Sequence, residues 1–311
     1  METLSWIEIA GRMAWQFMPV WIALVLTFML SMRFKRRLGL YGKLFDNVIG
    51  MVGFGIVMFW VYTALFVGLF DWIVTHDPLT AASGMKNKLP GTPLSGAGEN
   101  DYSWYLLGGD TLARDVFSRM VAGAWVVIRI APLATLFAFM VGVTLGLPAG
   151  YFGGRLDTGL SFLANLILAF PVILLFYLLV TPEMVQTGIP SYMAMVLFLF
   201  PIVFVTVLIN ARYHTQPARR SMMIAGVLFV LGWLYLSLIS DPATVITLLP
   251  RWLDLFDIPG GILVVFVSVV FVNAPTVFRI VRGLTLDIKT RDYVAAAQTR
   301  GEGPWYIMLW E

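Results

Sequence analysis

Side chains able to carry covalent chemistry are scarce in this sequence. There is no cysteine, which removes thiolate nucleophiles, disulfides and cysteine-held metals together. The two histidines, His76 and His214, lie far apart and on opposite expected sides of a membrane, so neither a shared metal site nor a paired catalytic role is expected, and a lone loop histidine reads as solvated. No G-x-x-x-x-G-K-[ST] loop, H-E-x-x-H or G-x-S-x-G motif occurs. Two polar stretches remain. In GGDTLARDVFSR, residues 108–119, Leu112, Val116 and Met120 fall at helical spacing, with Arg114 between them. Asp110 or Thr111 could cap that helix, and Asp115 and Arg119 could form a surface ion pair, so a short amphipathic helix on the outer membrane surface is expected. In RDYVAAAQTRG, residues 291–301, Ala295, Ala296 and Ala297 stand beside Asp292 and Tyr293, and Gly301 permits a sharp exit. Small residues let another backbone approach closely, which is the chemistry of helix-in-groove recognition. An ordinary interfacial helix, rich in alanine for its propensity, fits the same residues.

The elements that must position these stretches are apolar helices. The 311 residues are 59% apolar and 13% charged, with mean hydropathy +0.83. Soluble domains carry about a quarter charged residues, so the class is integral membrane protein. A bilayer needs roughly 20 helical residues per crossing. Seven charge-free windows qualify: 13–32, 47–70, 130–154, 158–182, 184–211, 221–240 and 261–278. The first is too long and too rich in Trp and Phe for a cleaved signal. Most Lys and Arg, from Arg33 to Lys43, at Arg155, from Arg212 to Arg220 and from Arg279 to Arg300, fall on odd-numbered connections. The positive-inside rule therefore places the amino terminus outside and residues 291–301 in the cytoplasm.

The outer connection from Asp71 to Asp110 contains PGTPLSGAGEN, which reads as a solvated loop. AGYFGGRLD, residues 149–157, reads as a tight reversal between spans. Pro132, Pro148, Pro171, Pro201 and Pro275 lie inside the windows as tolerated kinks. Asn165 and Asn273, with Pro171, are candidates to line a pathway, although helix–helix hydrogen bonds explain the asparagines equally well. The acid-free windows count against a proton-coupled carrier, which usually keeps an acid for its relay.

In order along the chain, GGDTLARDVFSR, AGYFGGRLD, the LAFP of Leu168–Pro171 and RDYVAAAQTRG resemble segments of the C-type permease subunits of oligopeptide/dipeptide ABC transporters. The last is similar to their cytoplasmic E-A-A-x-x-x-G element. There are departures. Gly109 stands for a Thr, Ala113 for a Gly, and Ala295 for the Glu of E-A-A, whose polar contact is lost or moved to Asp292. Trp125 replaces an Arg, with Arg129 one turn later. Residues 1–46 then read as an extra span and basic cytoplasmic connection, and 47–311 as an incomplete permease domain. Within it, 184–240 is an inserted helical hairpin and 287–311 a coupling element. Two further spans are expected beyond Glu311.

The resemblance implies an all-α, polytopic helical bundle of type I-like importer architecture with about seven spans, multi-pass in the bacterial inner membrane. It implies a transport subunit rather than an enzyme. The chain would bind no cofactor, ATP and Mg residing on a partner ATPase. Its partners would be a second homologous permease subunit, two ATP-binding subunits, an extracytoplasmic solute-binding protein, a peptide or other small solute and the lipid bilayer, with no nucleic acid. Asp292, Tyr293, Ala295, Ala296, Ala297 and Gly301 would couple to the ATPase, with Tyr293, Trp305, Ile307 and Leu309 as anchors. The outer loop, including Asp110, Arg114, Asp115 and Arg119, would meet the solute-binding protein. A secondary transporter or a membrane-integral enzyme is the alternative, and no nucleophile or ligand constellation supports the latter.

Overall fold

The computed structural model describes residues 2–39, 41–94, 102–239 and 260–310. Within those residues its regular structure is helical, as expected, apart from one two-stranded antiparallel ribbon. Lipid offers no partner for backbone N–H and C=O groups, and helices satisfy their own. The protein is a multi-pass membrane protein. Among the described residues, five helices are long and apolar enough to cross a bilayer, and two bent helix pairs pass the same test together. The chain divides into two compact units, Met1–Ile130 and Ala131–Glu311.

The first unit starts with α1 (Trp6–Gln16), whose amino end is closed by a reciprocal capping box between Ser5 and Glu8. It continues into α2 (Met18–Arg33) through a bend of 61° at Phe17. The 13–32 span is therefore carried by a bent pair of helices. Pro19 sits in the first turn of α2, where a missing N–H and fixed φ start a new helix and cannot extend an old one. Two short 3₁₀ turns, Lys35–Arg37 and Tyr41–Asp46, lead to α3 (Val48–Phe70), capped by Asn47 and ended by Asp71 in the left-handed conformation. The following loop carries β1 (Thr92–Pro93), paired with β2 (Trp104–Tyr105). Most of PGTPLSGAGEN lies outside the described residues. The loop ends where α4 (Val116–Phe152) begins. Phe17, Val20, Leu24, Val67, Ile73, Leu106, Phe117 and Val121 form the buried core of this unit. Leu4 N–H donates to Gly91 O at 3.0 Å, so the amino terminus meets the 71–115 loop, as two intervening crossings require.

The second unit contains the rest of α4, then α5 (Gly154–Leu168), α6 (Val172–Val180), α7 (Pro182–Gln186), α8 (Ile189–Leu197), α9 (Leu199–Arg212), α10 (Pro217–Ile239), α11 (Gly260–Ile288), α12 (Asp292–Thr299) and α13 (Pro304–Trp310). The reversal between α4 and α5 is as tight as expected, with Gly153 and Gly154 both at positive φ. The 158–182 window is not a straight span: α5 and α6 meet at 83°. Pro171 is the N-cap of α6, and a proline pushes the residue before it out of helical geometry. Pro132, Pro148 and Pro275 stay inside α4 and α11, while Pro201 sits in the first turn of α9.

Helix α11 packs against α5, α6 and α8. Gly142, Gly146 and Gly150 of α4 lie one turn apart, and a Cβ on any of them would crowd Val277, Val281 or Thr285 of α11. That is the small-xxx-small device by which lipid-embedded helices bring their backbones together.

Candidate functional site

The 71–118 loop is organised by two aspartates. Asp110 closes a turn by accepting from the N–H groups of Leu112 (2.8 Å) and Arg114 (2.9 Å), and it pairs with the Arg114 and Arg119 guanidinium groups. The Arg114 amide does most to hold its carboxyl down, to about 2. Partial desolvation works the other way, and the Arg114 side chain and the Leu112 amide outweigh it. Gly108 and Gly109 let this turn press on residues 85–90: a Cβ at Gly109 would overlap the Met85 carbonyl, and one at Gly108 the Lys88 carbonyl. Ala113 takes a positive φ.

Asp115 is fully buried. Its carboxylate accepts from Thr75 Oγ1 (2.8 Å), Ser118 Oγ (2.7 Å) and His76 Nδ1 (3.0 Å), and from the Phe117 and Ser118 amides at the start of α4. Burial pushes its pKa up, but the bonds from His76, Ser118 and Thr75 prevail and hold it below the ordinary aspartate value. Ser118 Oγ also accepts from the Thr75 and His76 amides. The second ring nitrogen of His76 faces Tyr102 O at 2.7 Å. A general base needs that nitrogen turned towards a nucleophile, so this Ser, His and Asp do not form a hydrolytic triad. They tie a loop to a helix end.

Three expectations are corrected here. Residues 108–115 are a turn and not an amphipathic helix, because Asp110 draws the backbone amides into a closed loop. The surface pair of Asp115 with Arg119 does not form: Asp115 is the interior cap of α4, and Arg119 goes to Asp110. His76 is mostly shielded and fully engaged, not solvated. Asp115 followed by Ser118, ahead of an apolar run, was the available signal.

The second site lies where α11 gives way to α12 and α13. Arg282 of α11 forms a two-pronged pair with Asp157 of α5, and Asp157 also accepts from Ser161. Lys289 donates to Tyr151 O, and Gln298 to Tyr151 Oη at 3.3 Å. Val294, Ala297 and Ile307 are buried together against Tyr151. Gly301, at φ +81°, turns the chain back so that α13 covers the inner side of α12. A cavity of about 330 Å³ remains between Tyr151, Thr285, Lys289, Tyr293 and α13.

The coupling residues expected from sequence therefore divide. Asp292, Tyr293, Ala295, Ala296 and Gly301 are exposed, whereas Ala297 is buried. Of the expected anchors, Tyr293 and Trp305 are accessible and Ile307 is not, because it fills the space under α12. Asn165 lies on the exposed side of α5, and Asn273 is exposed on α11 with its amide donating to Val269 O. Neither lines the apolar cavity of about 200 Å³ formed by α4, α5, α8, α9 and α11. Among the described residues, no three His, Asp or Glu side chains gather as a metal site.

Similarity to characterised proteins falls in one class. Over 135 residues the chain is 32% identical to the dipeptide transport system permease protein of Alkalihalophilus pseudofirmus, covering 43% of this chain and 40% of that one. Over 77 residues it is 39% identical to the glutathione transport system permease protein of Pectobacterium atrosepticum, covering 25% and 26%. Over 134 residues it is 30% identical to the oligopeptide transport system permease protein of Bacillus subtilis, covering 43% and 39%. The chain thus spans at most about two fifths of the length of these relatives. No family model and no solved structure matches it.

Proposed function

From the chain's resemblance to the C-type permease subunits of dipeptide and oligopeptide transport systems, we propose that it is a membrane-spanning subunit of an ATP-driven importer in a bacterial inner membrane. Its cargo is a peptide or a related small solute. Nothing in the chain hydrolyses ATP in this reading; two ATP-binding partner subunits do so, carrying ATP and Mg. A second permease subunit completes the pathway, and an extracytoplasmic solute-binding protein delivers cargo to the 71–118 loop.

The observation that supports this reading best is the division of α12. One side is fixed to Tyr151 by Val294, Ala297 and Ile307, and the other offers Asp292, Tyr293, Ala295 and Ala296. A short helix firmly seated on one side and bare on the other suits a motor that must grip and push. Closure of the ATPases around ATP would favour one arrangement of the permease helices over another through differential binding. Tyr151 at the end of α4 and the Asp157–Arg282 pair would carry the displacement into α4, α5 and α11.

The test is uptake of a labelled dipeptide into vesicles containing the assembled complex. ATP-dependent uptake that disappears when residues 291–301 are replaced supports the assignment. Uptake without any ATPase would instead favour a secondary transporter.

A further inference from the structure

We propose that α1 is a bilayer-surface helix, lying with its apolar half in the lipid interface and carrying the 71–115 loop on its opposite side. At about 100° per residue, Trp6, Ile7, Ala10, Gly11, Ala14 and Trp15 form one uninterrupted half of α1, and all six are exposed. Trp6, Ile7 and Trp15 are 72%, 85% and 71% accessible. No charge interrupts that face. Glu8, Arg12 and Gln16 lie on the other half with Ile9, which is buried.

That other half is already occupied by the protein. Arg12 sits 4.1 Å over the Trp104 ring, and a Cβ on Gly91 would touch Ile9 and Leu4. Met13 packs on the buried core of the unit. The bare half faces away from these contacts.

Its occupant follows from what α1 is joined to. After Phe17 comes α2, apolar and with Met18, Trp21, Ile22 and Val25 exposed, and the two helices together are long and apolar enough for a crossing. The bare face of α1 runs directly into this lipid-facing one. A helix bent 61° from a crossing helix leaves the crossing direction, and its 11 residues are too few to span. Tryptophan at both ends of the face suits the headgroup boundary, where an apolar ring and a polar N–H are both accommodated. An amphipathic helix with these features lies in the interface plane.

The chain lacks cysteine, so single-cysteine spin labels can be placed without other changes. The assembled protein would be labelled at Ala10→Cys or Ala14→Cys and reconstituted in phosphatidylethanolamine–phosphatidylglycerol vesicles. Val25→Cys reports lipid and Ser83→Cys reports water. Power saturation would compare collision with oxygen and with a water-soluble nickel chelate. We expect oxygen-to-chelate ratios at residues 10 and 14 several-fold above that at Ser83 and approaching that at Val25. Ratios equal to Ser83 would mean that the face meets water. Loss of collision with both reagents would mean that a protein surface covers it. Either result overturns the proposal. As an independent check, Ile7→Asp should lower the ratio at Ala14→Cys several-fold, and an unchanged ratio would count against lipid burial of this face.

Discussion

The turn around Asp115 and the helix α12 are both short polar stretches attached to long apolar helices, and they are built in opposite senses. Every acceptor of Asp115 is used inside the loop, and its carboxylate is out of reach of solvent. On α12 Val294 and Ala297 are buried, while Asp292, Tyr293, Ala295 and Ala296 are exposed. The first consumes its polar groups in holding itself together. The second leaves Asp292 and Tyr293 exposed. Conspicuous polar residues thus mark a site of contact only where the fold leaves them unspent.

Substitutions can break or sharpen that contrast. Asp115→Ala should have the largest effect. It strips the α4 cap and leaves His76, Thr75 and Ser118 without their shared acceptor. Removing one partner of a buried pair costs about 3–5 kcal/mol, read as a fall in thermal stability and rapid proteolysis of the loop. Gly109→Val forces a side chain onto the Met85 carbonyl and should cost roughly 1–3 kcal/mol by the same measurements. The Asp157–Arg282 pair is only partly shielded, so a double-mutant cycle with Asp157→Asn and Arg282→Gln should return a coupling of roughly 1–2 kcal/mol.

Acid should act on the loop through Asp110. Its pKa falls from an ordinary 3.8 to about 2 in the folded turn. Its stabilising contribution is therefore complete above pH 3.8 and is lost as pH falls towards 2. The protection factors of the Leu112 and Arg114 amides should fall as pH drops through that window, with no such loss of protection between pH 5 and 8. The smallest effect on stability, within about 0.5 kcal/mol, is expected for Ala295→Arg on the outward side of α12, yet ATP-driven uptake should be abolished. A large stability loss there would erase the distinction between the two regions.

Much of this architecture was legible from local pattern. All seven apolar windows correspond to a crossing helix or a bent pair, because hydropathy over about 20 residues is a property of the segment alone. The bends at Phe17 and Pro171 were less accessible: prolines were visible, but whether one kinks, caps or restarts a helix depends on what surrounds it. The cluster of Thr75, His76, Asp115 and Ser118 joins residues about 40 positions apart, and no periodicity encodes such a meeting. The spacing of Gly142, Gly146 and Gly150 was readable, though only the approach of α11 gives it meaning. On α12, helical propensity announced the element but not which alanine would turn inward.

Because α13 folds back at Gly301 and plugs Ile307 beneath α12, the helix is braced from below by its own tail. Evolution is free to rewrite the outward letters of α12. Descendants of one ancestral scaffold could exchange companions by a few surface changes, with no renegotiation of the framework underneath.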